Sequence, residues 1–194
     1  MAFGVLTRIR RLRRQIGGAD ELAAAALTLP IGQISLDEAR FLGQLVAGLT
    51  GTGPIVEVGT LFGWSTRVMV LFKDPTRKLI TVDNYAWNPL MLSPERHRQC
   101  TATALAEAVK SHGVEIVFRD KDEFFACYSG PPPALTFLDA DHSYEETRKD
   151  IAWSKKVNAG LTCVHDYAPE HQGVLRAVDE AGGPKQLVQS LAVL

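Results

Sequence analysis

The sequence is poor in cysteine, has no long apolar run and carries no excess of charge. Three cysteines among 194 residues lie far apart without a Cys-x-x-Cys pair, which disfavours a disulfide framework or a zinc ribbon. No apolar run approaches the roughly 18 residues that a membrane span requires. The 21 basic and 22 acidic residues leave a net charge of −1, which disfavours nucleic acid as a partner. We therefore expect a cytoplasmic protein with free thiols.

Positive charge is concentrated in the first 19 residues. This segment holds five arginines, so the remaining residues carry a net charge of −6. Val5, Ile9, Leu12 and Ile16 recur at helical spacing and predict an amphipathic basic helix. Its apolar and basic residues are interleaved, so we expect no secretory signal. One interpretation is that the helix packs its apolar stripe against the rest of the protein and leaves its arginines in water. The other is that the arginines contact anionic lipid, nucleic acid or an acidic partner.

After this segment, the chain alternates between short β-type runs and helix-like stretches. Ser35 and Glu38 form a capping box that opens a helix through about Leu49. Alternation of strands and helices at the observed spacing is typical of βαβ units. We predict a Rossmann-like, doubly wound α/β fold with a mostly parallel sheet, helices on both faces and a helical extension at residues 1–50. The predicted strands are Pro54–Val58, Lys78–Val82, Val114–Phe118, Ala134–Leu138 and Leu161–Val164, with helices near 64–73, 94–111, 122–128, 143–157 and 172–181.

A glycine turn follows the first predicted strand. Gly59 permits a tight turn, and Gly63 permits close approach before the next helix. Asp83 ends the second predicted strand, where an acid can accept hydrogen bonds from both ribose hydroxyls. Leu61 occupies the position of the second glycine in the dinucleotide fingerprint and would obstruct a pyrophosphate. The turn therefore suits a nucleoside without phosphates, and the carboxylate of Glu57 favours a ligand that carries an amino group.

These motifs, together with three later segments, resemble a known family. Glu57-x-Gly59-x-x-x-Gly63-x-Ser65 followed by Asp83 is similar to the first two motifs of class I S-adenosylmethionine (SAM)-dependent methyltransferases. The segments FLDADHSYE at 137–145, VHDY at 164–167 and GVLRAVDE at 173–180 resemble a narrower subgroup. That subgroup contains macrocin O-methyltransferase-like and cephalosporin-hydroxylase-like proteins. The resemblance covers about residues 50–194 and implies that residues 51–194 form a SAM-dependent methyltransferase domain.

The resemblance also implies which residues bind the cofactor. Asp83 would hold the ribose with Asn84 beside it, and Asp120 would meet the adenine amino group. Arg119 and Lys121 depart from the Gly-Asp-Ser sequence that is usual near the adenine. The residues that would cradle the methionine part and the inner face of the nucleoside are Glu57, Gly59, Thr60, Gly63 and Ser65.

An acid–histidine cluster is expected where the fourth and fifth predicted strands end. Asp139 follows one strand, and His165 and Asp166 follow the other. Neighbouring parallel strands bring such residues to one rim of the sheet, beside the glycine turn. Two carboxylates and an imidazole predict a site for Mg²⁺ or Mn²⁺, with the histidine favouring later metals. Metal-dependent relatives usually carry an acid or amide pair after the fifth strand, so His165 departs from their pattern.

His142 is the candidate general base. It lies three residues beyond Asp139 and matches the proposed base of macrocin-type relatives. Methyl transfer to oxygen needs a deprotonated acceptor, which a metal ion or a histidine can provide, and Asp139 and His142 are the predicted catalytic pair. Alternatively, Asp141 and His142 only cap the helix that starts near Ser143.

Other histidines and aromatic residues have weaker assignments. His97 and His112 fall on or just after a predicted surface helix, and we expect both to be solvated. Tyr85, Trp87 and Met91 follow the second strand and form either a lid over the site or an aromatic turn packed against the fold.

The sequence as a whole predicts a SAM-dependent O-methyltransferase that acts on a small hydroxylated acceptor. The alternatives are a relative with hydroxylase-like chemistry, or a non-catalytic protein that binds a cofactor or a partner. Nucleic-acid methylation is disfavoured because the chain beyond residue 19 is acidic and lacks an Asn-Pro-Pro-Tyr-type motif. The run Gln186–Leu194 leaves little room for two full strands. Either these strands are short, or another subunit of a homodimer completes the sheet edge.

Overall fold

Helices and strands alternate through residues 33–194, the part of the chain that the computed structural model describes. The basic helix predicted near the N-terminus lies outside these residues. In chain order the elements are α1 (Leu36–Gly48), β1 (Ile55–Val58), α2 (Trp64–Phe72), β2 (Leu79–Asp83), α3 (Pro94–Ala104), α4 (Ala106–Ser111), β3 (Val114–Phe118), α5 (Lys121–Cys127), β4 (Leu135–Leu138), α6 (Tyr144–Lys156), β5 (Thr162–Val164), α7 (Gln172–Glu180), β6 (Gln186–Val188) and β7 (Leu191–Val193).

The strands form one sheet in the order β3-β2-β1-β4-β5-β7-β6. Strands β1 to β5 pair in parallel, and β7 runs antiparallel to both β5 and β6. Each parallel strand lies within one residue of its predicted bounds. The closing strands β6 and β7 are three residues each, and β7 completes the pairing with β5 from within the same chain. The predicted mostly parallel α/β fold is confirmed.

Helices cover both faces of the sheet, as predicted. Helices α1, α2 and α4 pack in one apolar cluster, and α5, α6 and α7 pack in a second. Successive residues of β1 alternate between them, with Ile55 in the first cluster and Val56 and Val58 in the second. Among residues 33–194, no helix combines the length and apolar character needed to cross a bilayer.

Glycine at position 59 brings two functional loops together. Gly59 has a φ of 99°, and a Cβ at this position would collide with the carbonyl oxygen of Asp139. The backbone after β1 therefore lies directly against the backbone after β4. This contact occurs where the strand order reverses, the usual place for a ligand in an open α/β sheet.

Helix α1 is tied to the same sheet edge by its capping box. The Glu38 amide donates to the Ser35 hydroxyl over 3.2 Å, and Glu38 Oε2 accepts from the Ser35 amide at 2.8 Å, as predicted. The other oxygen, Oε1, accepts from the amide and hydroxyl of Ser190 at 2.9 and 2.6 Å. Glu38 thus links the start of α1 to the turn between β6 and β7.

Candidate active site

A cavity of about 580 Å³ opens at the carboxyl ends of the central strands. This volume falls within the usual range for small-molecule sites. The loops after β1, β2, β3 and β4 each contribute to its walls. Of the predicted site residues, those that line it are Gly59, Asp83, Asn84, Asp120, Asp139 and His142.

Asp83 holds the glycine turn in place. Its Oδ2 accepts the backbone amides of Thr60 and Leu61, both at 2.9 Å, and its Oδ1 accepts the amide of Tyr85 at 2.7 Å. A carboxylate offers about four lone-pair sites, so acceptor capacity remains for a ligand in the cavity. The sequence predicted the ligand-facing role and missed the structural one.

The glycine turn rests on a buried histidine. His97 is fully buried and its Nε2 lies 2.9 Å from the carbonyl oxygen of Leu61, which also accepts from the Thr101 hydroxyl. The ring packs between Phe62 and Tyr85. The prediction of a solvated His97 was wrong, because α3 presents this side chain to the turn and not to water. His112 is exposed, as predicted.

The loop after β2 contains the three residues for which the sequence left two interpretations, a packed aromatic turn or a lid over the site. Tyr85 is fully buried, so at this position the packed aromatic turn is the correct interpretation. Trp87 lines the cavity with 62% of its surface exposed, and Met91 is 94% exposed. The lid interpretation therefore stays a prediction for Trp87 and Met91 alone.

Glu57 lies buried beneath the turn. It is fully inaccessible and accepts hydrogen bonds from the hydroxyls of Ser65 and Thr66. Burial raises the pKa of Glu57 to about 7, although these hydroxyls partly oppose the rise. Thr60 and Ser65 line a small hollow that adjoins the main cavity. Gly63 is buried and begins α2 in a left-handed conformation. The predicted roles of these four residues in cofactor binding stay predictions.

Asp139, which lines the cavity, converges with His165 and Asp166, which are not among the lining residues. His165 Nδ1 lies 3.2 Å from Asp139 Oδ1 and 3.4 Å from Asp166 Oδ2. On the other side of the ring, Nε2 lies 3.3 Å from the Ser190 hydroxyl and 3.6 Å from Glu38 Oε1. We call Asp139, His165 and Asp166 the inner trio, and the predicted convergence is confirmed.

His142 approaches the inner trio from the cavity. Its Nε2 lies 3.0 Å from Asp166 Oδ2 and 3.8 Å from Asp139 Oδ1. The Asp141 carboxylate instead accepts the amide of Ser143 at 2.7 Å, next to the start of α6. This bond closes the turn before α6, whose N-cap Ser143 makes no side-chain capping bond, so the capping interpretation is wrong for Asp141, and His142 points toward the two carboxylates.

The carboxylates and imidazoles shift one another's pKa values. Burial alone would lower the pKa of His165, but Asp139, Asp166 and Glu38 outweigh it and raise that pKa to about 12. Burial acts to raise the pKa of Asp139. The charge of His165 and the hydrogen bond with His142 outweigh burial, so this pKa lies below its usual value. The contact with Asp139 raises the pKa of His142. Neighbouring charges therefore outweigh burial at all three groups.

The sequence of this chain matches a known protein-family model. A family model described as a methyltransferase domain matches residues 56–167, which is more than half of the chain. The chain belongs to this methyltransferase family. The match runs from β1 through the segment after β5, so it contains the glycine turn, Asp83 and the inner trio.

Individual relatives of this methyltransferase have low sequence identity but similar structures. The catechol O-methyltransferase of Mycobacterium tuberculosis is 28% identical over 84% of this chain and 72% of its own length. The O-methyltransferase TomG from Streptomyces achromogenes has a TM-score of 0.61 at 19% identity, over 91% of this chain and 86% of that one. An O-methyltransferase from Bacillus cereus has a TM-score of 0.63 at 20% identity, over 91% and 88%. The two structures support the fold of this methyltransferase.

The donor set of the inner trio suits a metal ion. One ligand atom from each residue lies within 4.8 Å of the other two. A metal-bound histidine usually donates its second ring N–H to a carboxylate or another oxygen, and Nε2 of His165 faces Ser190 and Glu38 in that way. The residues of this methyltransferase thus fit the predicted metal, while its presence stays a prediction.

Sequence reasoning missed three contributors to the site of this methyltransferase. Glu38 and Ser190 reach the inner trio from elements that are distant in sequence, which no local pattern indicates. Lys121 lines the cavity and binds Asp150 at 2.6 Å and Glu146 at 2.8 Å. Its departure from the family motif was the available signal, and the structure shows that the departure places an ion pair in the cavity wall.

Proposed function

We propose that this methyltransferase transfers a methyl group from SAM to an oxygen of a small hydroxylated acceptor. The observation that carries the proposal is one cavity lined by Asp83 and Asn84 on one side and by Asp139 and His142 on another. Relatives support it by name, since one is a catechol O-methyltransferase and the two cited structures are complexes with SAM and S-adenosylhomocysteine (SAH). We place the domain at residues 51–194, with residues 1–50 as its extension, in the macrocin O-methyltransferase-like and cephalosporin-hydroxylase-like subgroup.

The cofactor end of the proposed site lies at β1, β2 and β3. Asp83 would accept the ribose hydroxyls with the acceptor capacity that the turn leaves free. Asp120 starts α5 and lines the cavity, where it would meet the adenine amino group. SAM, when bound, supplies an electrophilic methyl group on a sulfonium. Leu61 lines the same cavity and favours a ligand without a pyrophosphate.

The acceptor end of the proposed site lies at β4 and β5. His142 lines the cavity and has two carboxylates beside its Nε2, so it can remove and hold the proton of an acceptor hydroxyl. Asp139 and Asp166 orient the ring and stabilise its charged form. Asp139, His165 and Asp166 would hold Mg²⁺ or Mn²⁺, an ion that lowers the pKa of a coordinated hydroxyl.

The first prediction tests the cofactor end. Wild-type protein should bind SAM and SAH and should not bind NAD, as measured by calorimetry. Asp83→Asn should weaken SAH binding by about 1.5–3 kcal/mol, because an uncharged amide replaces the acceptor of the ribose hydroxyls. Asp37→Asn makes the same change on the exposed side of α1 and should leave the affinity unchanged.

Turnover separates catalysis from binding alone. Labelled SAM should methylate at least one member of a panel of small hydroxylated compounds that starts with catechol, assayed with Mg²⁺, with Mn²⁺ and without metal. Binding of NAD without binding of SAH would overturn the cofactor assignment. Binding of SAM without turnover on any acceptor or metal would instead indicate the non-catalytic alternative.

A further inference from the structure

Three side chains at the mouth of the acid–histidine cluster form a second group of potential ligands, which we call the outer triad. It consists of His142 after β4, Asp166 after β5 and His171 immediately before α7. One donor atom from each lies within 4.8 Å of the other two. Their side chains are 29%, 16% and 34% exposed, and the Nε2 atom of His142 is itself buried without a hydrogen-bond partner, turned toward Asp166.

The spacing of the outer triad matches metal coordination. Ligands about 2.1 Å from a tetrahedral Zn²⁺ ion stand about 3.4 Å from one another. His142 Nε2 lies 3.0 Å from Asp166 Oδ2, and His171 Nε2 lies 3.8 Å from Asp166 Oδ1. The two imidazole rings meet at 79° with centroids 4.5 Å apart, so they are not stacked face to face. The two histidines contact different oxygens of Asp166, so an ion would draw the three donor atoms closer than the 4.8 Å within which they lie.

The backbone is built to hold this group together. Gly173, in the first turn of α7, packs against the backbone of His142 and Tyr144, where a Cβ would collide with both. This contact sets His171 beside His142. Asp166 has a φ of 60°, a left-handed conformation that non-glycine residues rarely adopt. Both features locate the backbone from which the ligand side chains extend.

The outer triad differs from the inner trio in access. The His165 side chain of the inner trio is 1% exposed, and both of its ring nitrogens face protein oxygens. In the outer triad His142 lines the cavity, and three protein ligands leave further positions on a bound ion open. Two imidazoles and one carboxylate suit Zn²⁺, Co²⁺ and similar ions better than Mg²⁺, which prefers oxygen ligands.

We propose that His142, Asp166 and His171 bind one divalent transition-metal ion of the Zn²⁺ or Co²⁺ class. Coordination occupies Nε2 of His142 and places a cation on the ring that would take the proton from the acceptor, so the ring can no longer act as the base. An ion at the outer triad therefore inhibits methyl transfer. This consequence rests on the proposed function, whereas the binding of the ion does not.

The direct test titrates metal into the protein without SAM. Zn²⁺ is followed by calorimetry, and Co²⁺ by the visible absorption of a histidine-ligated ion. Because Asp166 belongs to both groups, the outer triad and the inner trio compete for it, and wild type should bind one ion per chain. His171→Gln should weaken that binding at least tenfold, because it removes a ligand of the outer triad alone. His112→Gln removes an exposed histidine outside the triad and should change nothing. Gly173→Ala should also weaken binding while keeping every ligand.

The outcomes separate this proposal from the proposed function. Equal Zn²⁺ and Co²⁺ affinity in wild type and His171→Gln, with both proteins folded by circular dichroism, would overturn the outer triad whatever the activity. In the activity assay, Zn²⁺ should inhibit wild type at concentrations at least tenfold below those that inhibit His171→Gln, with each protein normalised to its own rate without Zn²⁺. Equal inhibition of both proteins would overturn the inhibitory role. Absence of turnover under all conditions would contradict the proposed function and leave the metal titration decisive.

Discussion

Asp139 is the residue on which both histidines depend. One of its oxygens lies 3.2 Å from His165 Nδ1 and 3.8 Å from His142 Nε2. The side chain is only 11% exposed, so its charge acts on both rings with little screening by water. Removing that charge should therefore affect proton transfer at His142 more than it affects a cofactor bound at β2.

Asp139→Asn tests this dependence. The substitution keeps the size of the side chain, and kcat should fall by about 10²–10⁴-fold, the range for loss of acid–base assistance. The Kd for SAH should stay within about threefold. Contact with Asp139 raises the pKa of His142, and the base must be neutral to act, so wild-type activity rises with pH through that raised pKa. In Asp139→Asn the inflection of the pH–rate profile should move to lower pH.

Chelation distinguishes activation of the acceptor hydroxyl by a metal ion from activation by His142 alone. Activity that vanishes in chelator and returns with Mg²⁺ or Mn²⁺ indicates a metal at the inner trio. Activity that survives chelation and is lost in His142→Ala indicates the histidine alone. Asp141→Asn is the matched control, because its amide oxygen can still accept from Ser143. Full activity in chelator together with an unaffected His142→Ala would contradict both versions.

At the scale of elements, what could be predicted was local in sequence. The capping box of Ser35 and Glu38 spans four residues and was predicted correctly. The parallel strands were also predicted correctly, because continuous apolar runs are typical of strands buried on both faces. The second contact of Glu38, with Ser190, joins residues 152 positions apart and leaves no local signal. His97 was misjudged for the same reason, since its burial depends on how the loop after β2 returns α3 to the glycine turn.

The contact between the loops after β1 and β4 gives a prediction at this scale. Gly59→Ala should destabilise the fold by at least about 2 kcal/mol, because the new methyl group meets the Asp139 carbonyl and φ is positive. Gly182→Ala is the matched control, because φ at Gly182 is also positive, at 116°, but no atom lies within 4 Å of the added Cβ. Chemical denaturation should show a clearly larger loss for Gly59→Ala. Equal losses would mean that the backbone conformation, and not the loop contact, requires glycine at position 59.

At the scale of the whole molecule, buried acids make stability depend on pH in opposite directions. Contacts with His165, Ser190 and Ser35 outweigh burial and lower the pKa of Glu38, so its contribution is present above the unfolded value near 4.5 and lost on acidification. Burial raises the pKa of Glu57 to about 7. Between pH 4.5 and 7 the folded protein therefore holds a proton on Glu57 that the unfolded chain releases, and stability falls as pH rises.

Glu57→Gln isolates this second effect. The uncharged amide can still hydrogen-bond with the hydroxyls of Ser65 and Thr66 but does not titrate. The part of the unfolding free energy that falls as pH rises should therefore disappear in the variant. The unfolding free energy of the variant, relative to wild type, should grow by about 3 kcal/mol from pH 4.5 to pH 8. Urea denaturation of both proteins across that range measures the difference, in which the titration of Glu38 cancels. Glu170→Gln makes the same change at an exposed position and is the matched control. A flat result for Glu57→Gln would contradict the prediction, because it would mean that folding does not raise the pKa of Glu57.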